Sequence, residues 1–233
     1  MIIYPLRFGA ATSDRVVITD SLTVQNITPW YFFAVLKVTV LTTGRRIYHK
    51  NTAGASNNVI NLNGTGGNLA CLIGFTGTDA SYITNDTPFA TLSIPYIVLV
   101  VSNPAGGAGK TVHIYTSKWG QPLRESSYGT SIDGTGTPEA DATNGIRIGN
   151  NPANTLSWQG SMWSFAYGRG VLTPADYGPY QIYPRATSAV KSRLGMNGTG
   201  TVKDESGNGN HGIITGAIPT NDVLPNARMG YGI

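Results

Sequence analysis

Twelve carboxylates, three histidines and a single cysteine are the groups in this 233-residue chain that could do acid–base, metal or nucleophilic chemistry. Hydrolysis by a general acid and base needs two carboxylates held rigidly on either side of the scissile bond. Glu139 and Asp141 stand two apart in "PEAD", but in a stretch with no strand or helix pattern to hold them. His49, His113 and His211 are scattered, and none has a partner at metal-ligand spacing. They read as ordinary core or surface histidines. Cys71 lies in the apolar run "NLACLIGF", which suits a buried structural thiol, and a lone cysteine forms no internal disulfide. "DESGNGN" (204–210) echoes a calcium loop, with Asp204, Ser206 and Asn208 at alternate positions and Gly209 at the bend. A full loop closes with a bidentate acid, and none follows. The expectation is therefore an Asx-type turn, with calcium at these three residues as the alternative.

The elements that would position such groups are strands. Charged residues make up 12% of the chain, about half the usual share, and glycine is abundant at 30 residues. Low charge with many Thr, Val, Ile and Tyr favours strands joined by Gly/Asn turns. Strand signals run through 15–24, 30–41, 45–50, 58–63, 69–75, 89–94, 96–102, 110–117 and 146–151. "WYFFAVLKVTVL" (30–41) is almost continuously apolar, as expected of a strand buried between two sheets. In "GSMWSFAYGRGVL" (160–172), Trp163, Phe165 and Tyr167 alternate with Met162, Ser164 and Ala166, predicting a bulky face and a small one. Short helical turns are expected at 172–178, where Thr173 would cap and Pro174 would open the turn, and at 186–194. Residues 120–145 form the longest stretch without pattern. The fold class read here is all-β, an antiparallel sandwich of two sheets with one or two helical turns.

The net charge of +4 is spread out, with Arg45-Arg46 and the pair Lys191 and Arg193 as its local concentrations. A nucleic-acid footprint would be a dense basic stripe, so no nucleic-acid partner is expected. The N-terminal stretch lacks the basic start and sustained apolar run of a signal peptide, and "YIVLVV" (96–101) is too short to span a bilayer. Neither export nor membrane insertion is expected.

The order of motifs resembles the concanavalin A-like, laminin-G-like jelly-roll superfamily, particularly its compact bacterial and phage versions. "LRFGAATSDRVVITDSLTVQN" is similar to the opening strands, and "YIVLVVSNPAGGAGKTVHIYTSKWGQPL" to the central hairpin. "IRIGNN" followed by "GSMWSFAYGRGVLTPADY" resembles the closing strand and helical turn. "DESGNGNHGIITGA" is similar to the family's Ser-Gly-Asn-Gly turn, which usually precedes the opening strands and here follows everything else. The resemblance thus implies a sandwich over 1–194 and a C-terminal segment, 195–233. That segment either pairs beside the N-terminal strand, as in a circular permutation, or forms an arm on a neighbouring subunit.

Some members of this superfamily are glycosidases with acids at near-alternate positions of one strand, and no strand here carries such a set. The resemblance implies a non-enzymatic protein without cofactor. Glycan contact would fall on aromatic faces in polar loops, for which Trp119, Tyr128 and Trp158 are the candidates. The expected setting is a virion surface, as a capsid decoration or tail-associated protein made in the host cytoplasm. Its partners would be other virion proteins, copies of itself and cell-surface polysaccharide. A stand-alone cellular lectin is the alternative, and a glycoside hydrolase the remote one. An exposed apolar patch of Ile2, Ile3, Tyr4, Leu6 and Phe8 is the expected contact between copies.

Overall fold

The computed structural model describes residues 5–9, 13–50, 58–106, 111–141, 144–178, 180–184, 188–193 and 200–224. Its strands, in chain order, begin with β1 (Leu6–Phe8), β2 (Arg15–Ile18), β3 (Trp30–Val38), β4 (Arg46–His49), β5 (Val59–Asn63) and β6 (Asn68–Ile73). The middle of the chain supplies β7 (Ala80–Thr84), β8 (Pro95–Ser102), β9 (Val112–Lys118), β10 (Arg124–Glu125), β11 (Tyr128–Ile132) and β12 (Ile146–Ile148). The last are β13 (Gly160–Arg169), β14 (Val190–Arg193), β15 (Thr201–Val202), β16 (Gly212–Thr215) and β17 (Ile218–Pro219). They form two antiparallel sheets. One runs β10-β9-β8-β3-β13-β1-β17, with β14 also paired to β13, and the other runs β11-β7-β6-β5-β4-β12-β2-β16-β15.

Strand β3 is apolar at nearly every position because both its faces are covered. Trp30, Phe32, Ala34 and Leu36 point at the opposite sheet, beside Tyr48, Ile60 and Cys71. Tyr31, Phe33 and Val35 point outward into a second apolar layer with Leu172, Tyr177, Ile182 and Tyr183. The strand is thus enclosed by a sheet on one side and a strap formed by 172–178 and 180–183 on the other. A 3-10 turn at Pro174–Asp176 shapes that strap. There the Thr173 N–H and hydroxyl both donate to the Asp176 carboxylate, at 2.9 and 3.1 Å.

The even alternation expected along 160–172 is broken by a bulge. Met162 pairs with Leu36 but Ser164 with Val35, so Trp163 is the extra residue. The bulge moves Trp163 to the strap side while Phe165 and Tyr167 stay between the sheets. Two other expectations are corrected. Residues 190–193 form strand β14 on β13 rather than a helical turn, because Lys191 and Ser192 meet Ala166 and Phe165 in an open ladder. The stretch 89–94 is a turn, whose Phe89 plugs the core edge-on against Tyr96 at 5.1 Å. The stretch 15–24, which carries an Asp-Ser turn, is strand as far as Ile18, and the Val24 N–H closes the turn onto the Ser21 carbonyl.

The two ends of the described chain run side by side. Strand β16 pairs with β2 in one sheet, and β17 pairs with β1 in the other. Both connections cross between the sheets at one corner. There Asp14 accepts the Gly9 N–H at 2.6 Å, and a Cβ on Gly216 (φ 73°) would come within 2.2 Å of the Asp14 carboxylate. Beyond β17 the described residues 220–224 stay on their own sandwich. Asp222 pairs with Lys37 at 2.5 Å, and Leu224 is buried in the strap layer.

Leu6 and Phe8 are fully buried in this core, so the exposed apolar patch expected of them is not there. Both sit on β1, hemmed in by β13 and β17, and the Phe8 ring lies 5.3 Å from Trp158. Ile2, Ile3 and Tyr4 lie outside the described residues. Phe8→Ala should therefore destabilise the monomer by about 3–5 kcal/mol in urea titration. Leu22→Ser, at an 88% exposed position, should stay within about 0.5 kcal/mol. Equal midpoints for wild type and Phe8→Ala would contradict the placement of β1.

Candidate functional site

Two hollows adjoin at one end of the sandwich. This is the end where β2, β4 and β13 finish and β3, β5 and β12 start. The wall between them is Ile27, which lines both. It belongs to the loop 19–29, whose Asn26 adopts a left-handed conformation (φ 45°) that Asn tolerates better than most residues.

The first hollow, about 370 Å³, is floored by Trp30 and walled by Ile27, Pro138 and Ala140, with Thr28, Thr137 and Glu139 around it. Its side opposite the solvent is braced by Asp141. The Asn26 N–H donates to Asp141 Oδ1 at 2.5 Å, and the Asp141 N–H donates back to Asn26 Oδ1 at 2.8 Å. Lys50 Nζ lies 2.5 Å from Asp141 Oδ2 and also donates to the Asp141 carbonyl at 3.3 Å. The Asn58 amide completes the set at 3.5 Å. Lys50 and Asp141 are both buried. Burial pulls the Lys50 ammonium below its ordinary pKa, and the Asp141 carboxylate opposes that pull. Below them Tyr48 and Tyr167 stack at 5.7 Å, and burial raises both phenols far above their usual range. The brace ties three loops together, so the hollow has a rigid floor.

The second hollow is an open groove of about 420 Å³ between Leu22, Thr23, Gln25 and Ile27 on one bank and Arg169, Ser188, Ala189 and Asn208 on the other. Arg169 is fixed by donating to the Thr28 carbonyl at 2.8 Å. Asn208 is fixed by donating to the carbonyls of Ser188 and Ala189 at 3.1 and 3.0 Å. Gln25 Nε2 donates to Asp20 at 2.5 Å. The lining is amide, hydroxyl and aliphatic with one guanidinium, a surface that offers both donors and acceptors to a hydroxylated ligand.

The aromatic candidates stand elsewhere. Trp158 is fully buried against Phe8 and belongs to the core, which corrects its reading as a ligand platform. Tyr128 packs edge-on against Tyr82 at 5.3 Å, and its hydroxyl accepts the Ile114 N–H at 2.8 Å. Trp119 is half-buried and meets Tyr180 edge-on at 5.9 Å. All three lie at or near the end of the sandwich opposite the hollows, where β9 and β12 finish and β11 and β13 begin.

The 204–210 stretch is a turn whose carboxylate is occupied by protein donors. Asp204 Oδ1 accepts the N–H groups of Lys191 and Ser206, and Oδ2 accepts the Ser206 hydroxyl and the Asn210 N–H, all at 2.8–3.0 Å. Asn210 carries the tie further, to Thr23 and to the Ala189 carbonyl. Asp204, Ser206 and Asn208 therefore act as a clasp that shapes one bank of the groove, and Asn208 reaches its surface. Among the described residues no three His, Cys, Asp or Glu side chains gather as metal ligands would. Cys71 is buried in the inter-sheet core, which pushes its thiol far above the ordinary range. Gln25, Ile27 and Arg169 were missed as site residues. Gln25 and Ile27 fall between the strand signals at 15–24 and 30–41, Arg169 reads as part of the strand in 160–172, and nothing in their spacing marks a groove.

The brace has a measurable consequence. Lys50→Met or Asp141→Asn alone leaves a buried group without its partner and should cost about 3–5 kcal/mol in chemical denaturation. Lys50→Met combined with Asp141→Leu should cost clearly less than the sum of the single losses. Strict additivity would mean that the two side chains do not interact.

No protein-family model matches the sequence, and no curated protein matches it significantly. Solved structures do. A Bacteroides ovatus protein described as carbohydrate-binding superposes with a TM-score of 0.67 at 13% identity, over 97% of this chain and 62% of its own. Domains LG4-5 of the mouse laminin α1 chain superpose with a TM-score of 0.50 at 10% identity, over 81% of this chain and 46% of theirs. A tailspike of an Escherichia coli O157:H7 bacteriophage matches at 14% identity over 76% of this chain and 25% of its own, with a TM-score of 0.49. The chain thus spans less than two thirds of each of these neighbours. At such identities the likeness is one of fold, and that fold is a two-sheet antiparallel jelly-roll sandwich like that of the laminin LG domains.

Proposed function

We propose that the chain is a non-enzymatic glycan-adhering module, and that its ligand lies in the groove between Leu22–Ile27 and Ser188–Asn208. The groove itself carries the reading. It is open and sugar-sized, lined by fixed amides and hydroxyls with exposed Leu22 at the rim, and sits on a lectin-like sandwich. Shape and hydrogen bonding would select the ligand, since Arg169 is the one charged side chain among the lining residues.

The ties on Asp141 speak against catalysis. A hydrolytic pair needs one carboxyl free to give a proton and another free to attack or to activate water. Asp141 is tied to Lys50, Asn26 and Asn58, and Glu139 alone of the lining acids is left for such a task. For the setting we propose a virion surface, with copies of itself and other virion proteins as partners. That part rests on the order of sequence motifs shared with compact phage members of the superfamily. A stand-alone cellular lectin would use the same groove.

A glycan array probed with purified protein should give a discrete set of positive sugars. Gln25→Ala should weaken the strongest of them by roughly tenfold, the loss expected for one hydrogen bond in a fixed site. Silence across the array would leave a purely structural role. Mass spectrometry of purified particles checks the setting, and absence of the chain from them would favour the cellular lectin.

A further inference from the structure

The outer face of the sheet containing β2, β4 and β12 carries cations with no anions to meet them. Across β16, β2, β12, β4, β5 and β6 the ladder on this face reads Ile213, Val17, Arg147, His49, Val59 and Leu72. Arg15 is two residues from Val17 and shares its face. Arg46 joins them through a local irregularity. A register shift in β4 turns both Ile47 and Tyr48 into the core, leaving Arg46 and His49 on the outer side.

These groups lack acidic partners. All twelve Asp and Glu side chains fall among the described residues, yet none of the ion pairs there involves Arg15, Arg46 or Arg147. Arg15 donates from Nη1 to the Ser13 carbonyl, while its Nε and that of Arg46 are buried without an acceptor. His49 is 3% exposed, and neither ring nitrogen has a hydrogen-bond partner. Burial, with the cations Arg46 and Arg147 as its charged neighbours, pulls its pKa to about 4, so the ring is neutral near pH 7. The charged neighbour of Arg147 is Arg15, another cation. Buried donors left without acceptors are rare in folded proteins and call for a missing partner. A ligand carboxylate answers the need, since guanidinium forks bind it bidentately.

We propose that this face binds the carboxylates of an acidic polysaccharide built of uronic acid units, held by Arg15, Arg46 and Arg147 around His49. The inference goes beyond the groove reading and uses none of its residues. Nucleic acid fits the face less well. Three guanidiniums fall short of the roughly 6–10 phosphate contacts of a tight duplex binder, and no Trp, Tyr or Phe stands on this ladder for bases to stack on.

The test is calorimetric titration of the whole chain at pH 7 and low salt with polygalacturonate oligomers, using neutral dextran and duplex DNA as comparison ligands. Wild type should bind polygalacturonate, more weakly as salt is added, and bind the comparison ligands at least tenfold less well. Arg15→Gln with Arg147→Gln should lower the affinity by tenfold or more, and Arg15→Lys with Arg147→Lys should restore part of it. The glutamine pair should keep the wild-type pattern among the uncharged sugars of the glycan array, which separates failure here from failure of the groove. Should the variants fold poorly, arginine modification by phenylglyoxal on wild type decides, since bound oligomer should shield Arg15 and Arg147. No binding of polygalacturonate, equal binding of DNA, or no shielding of these arginines would overturn the proposal.

Discussion

Strand β3 must be covered twice, and most of the architecture follows from that. A ribbon reading Trp-Tyr-Phe-Phe-Ala-Val-Leu-Lys-Val has no face it can offer to water. One face is met by the opposing sheet through Tyr48, Ile60 and Cys71, and the other by the strap through Leu172, Tyr177 and Ile182. Each buried aromatic or aliphatic side chain is worth about 1.5–3 kcal/mol relative to exposure, so leaving either face open would forfeit several such contributions. The bulge at Trp163 serves the same end. By shifting the phase of β13 it places the indole in the strap layer, where a bulky group is needed, and keeps Phe165 and Tyr167 between the sheets.

With the sandwich held this way, its two ends take different characters. At one end aromatic residues are absorbed by packing, as with Trp158 on Phe8 and Tyr128 on Tyr82. At the other, the loops are tied by polar side chains that bond to backbone, which leaves hollows between them. The Asp141 brace and the Asp204 clasp use the same device. In each, a carboxylate collects donors from two or three separate segments and so converts loops into fixed walls. Such preorganisation lowers the ordering cost of binding, and for that reason a groove lined by fixed amides is a better ligand site than exposed aromatic residues on a mobile loop would be.

The groove and the arginine face differ in what they could select. The groove offers hydrogen-bond geometry with little charge, whereas the sheet face offers charge with little shape.

Much of the fold was legible from sequence because strand formation is local. The period-two and all-apolar patterns placed β3, β5, β6, β8, β9 and β13 near their observed bounds, and Thr173-Pro174 marked the 3-10 turn. The Asx character of 204–210 was legible too, since side-chain oxygens two residues from a backbone donor act within one turn. Burial of Phe8 and Trp158, the phase shift at Trp163 and the groove at Ile27 were not. Each depends on which segment arrives from far along the chain. Asn26 and Asp141 are 115 residues apart, and the arginine face draws on β2, β4 and β12. Local composition determined that the chain would be a two-sheet sandwich poor in charge. Only tertiary packing decided which aromatic residues were core, which carboxylates were bound and which cations were left without partners, because those outcomes turn on pairings between segments that sequence neighbours cannot set.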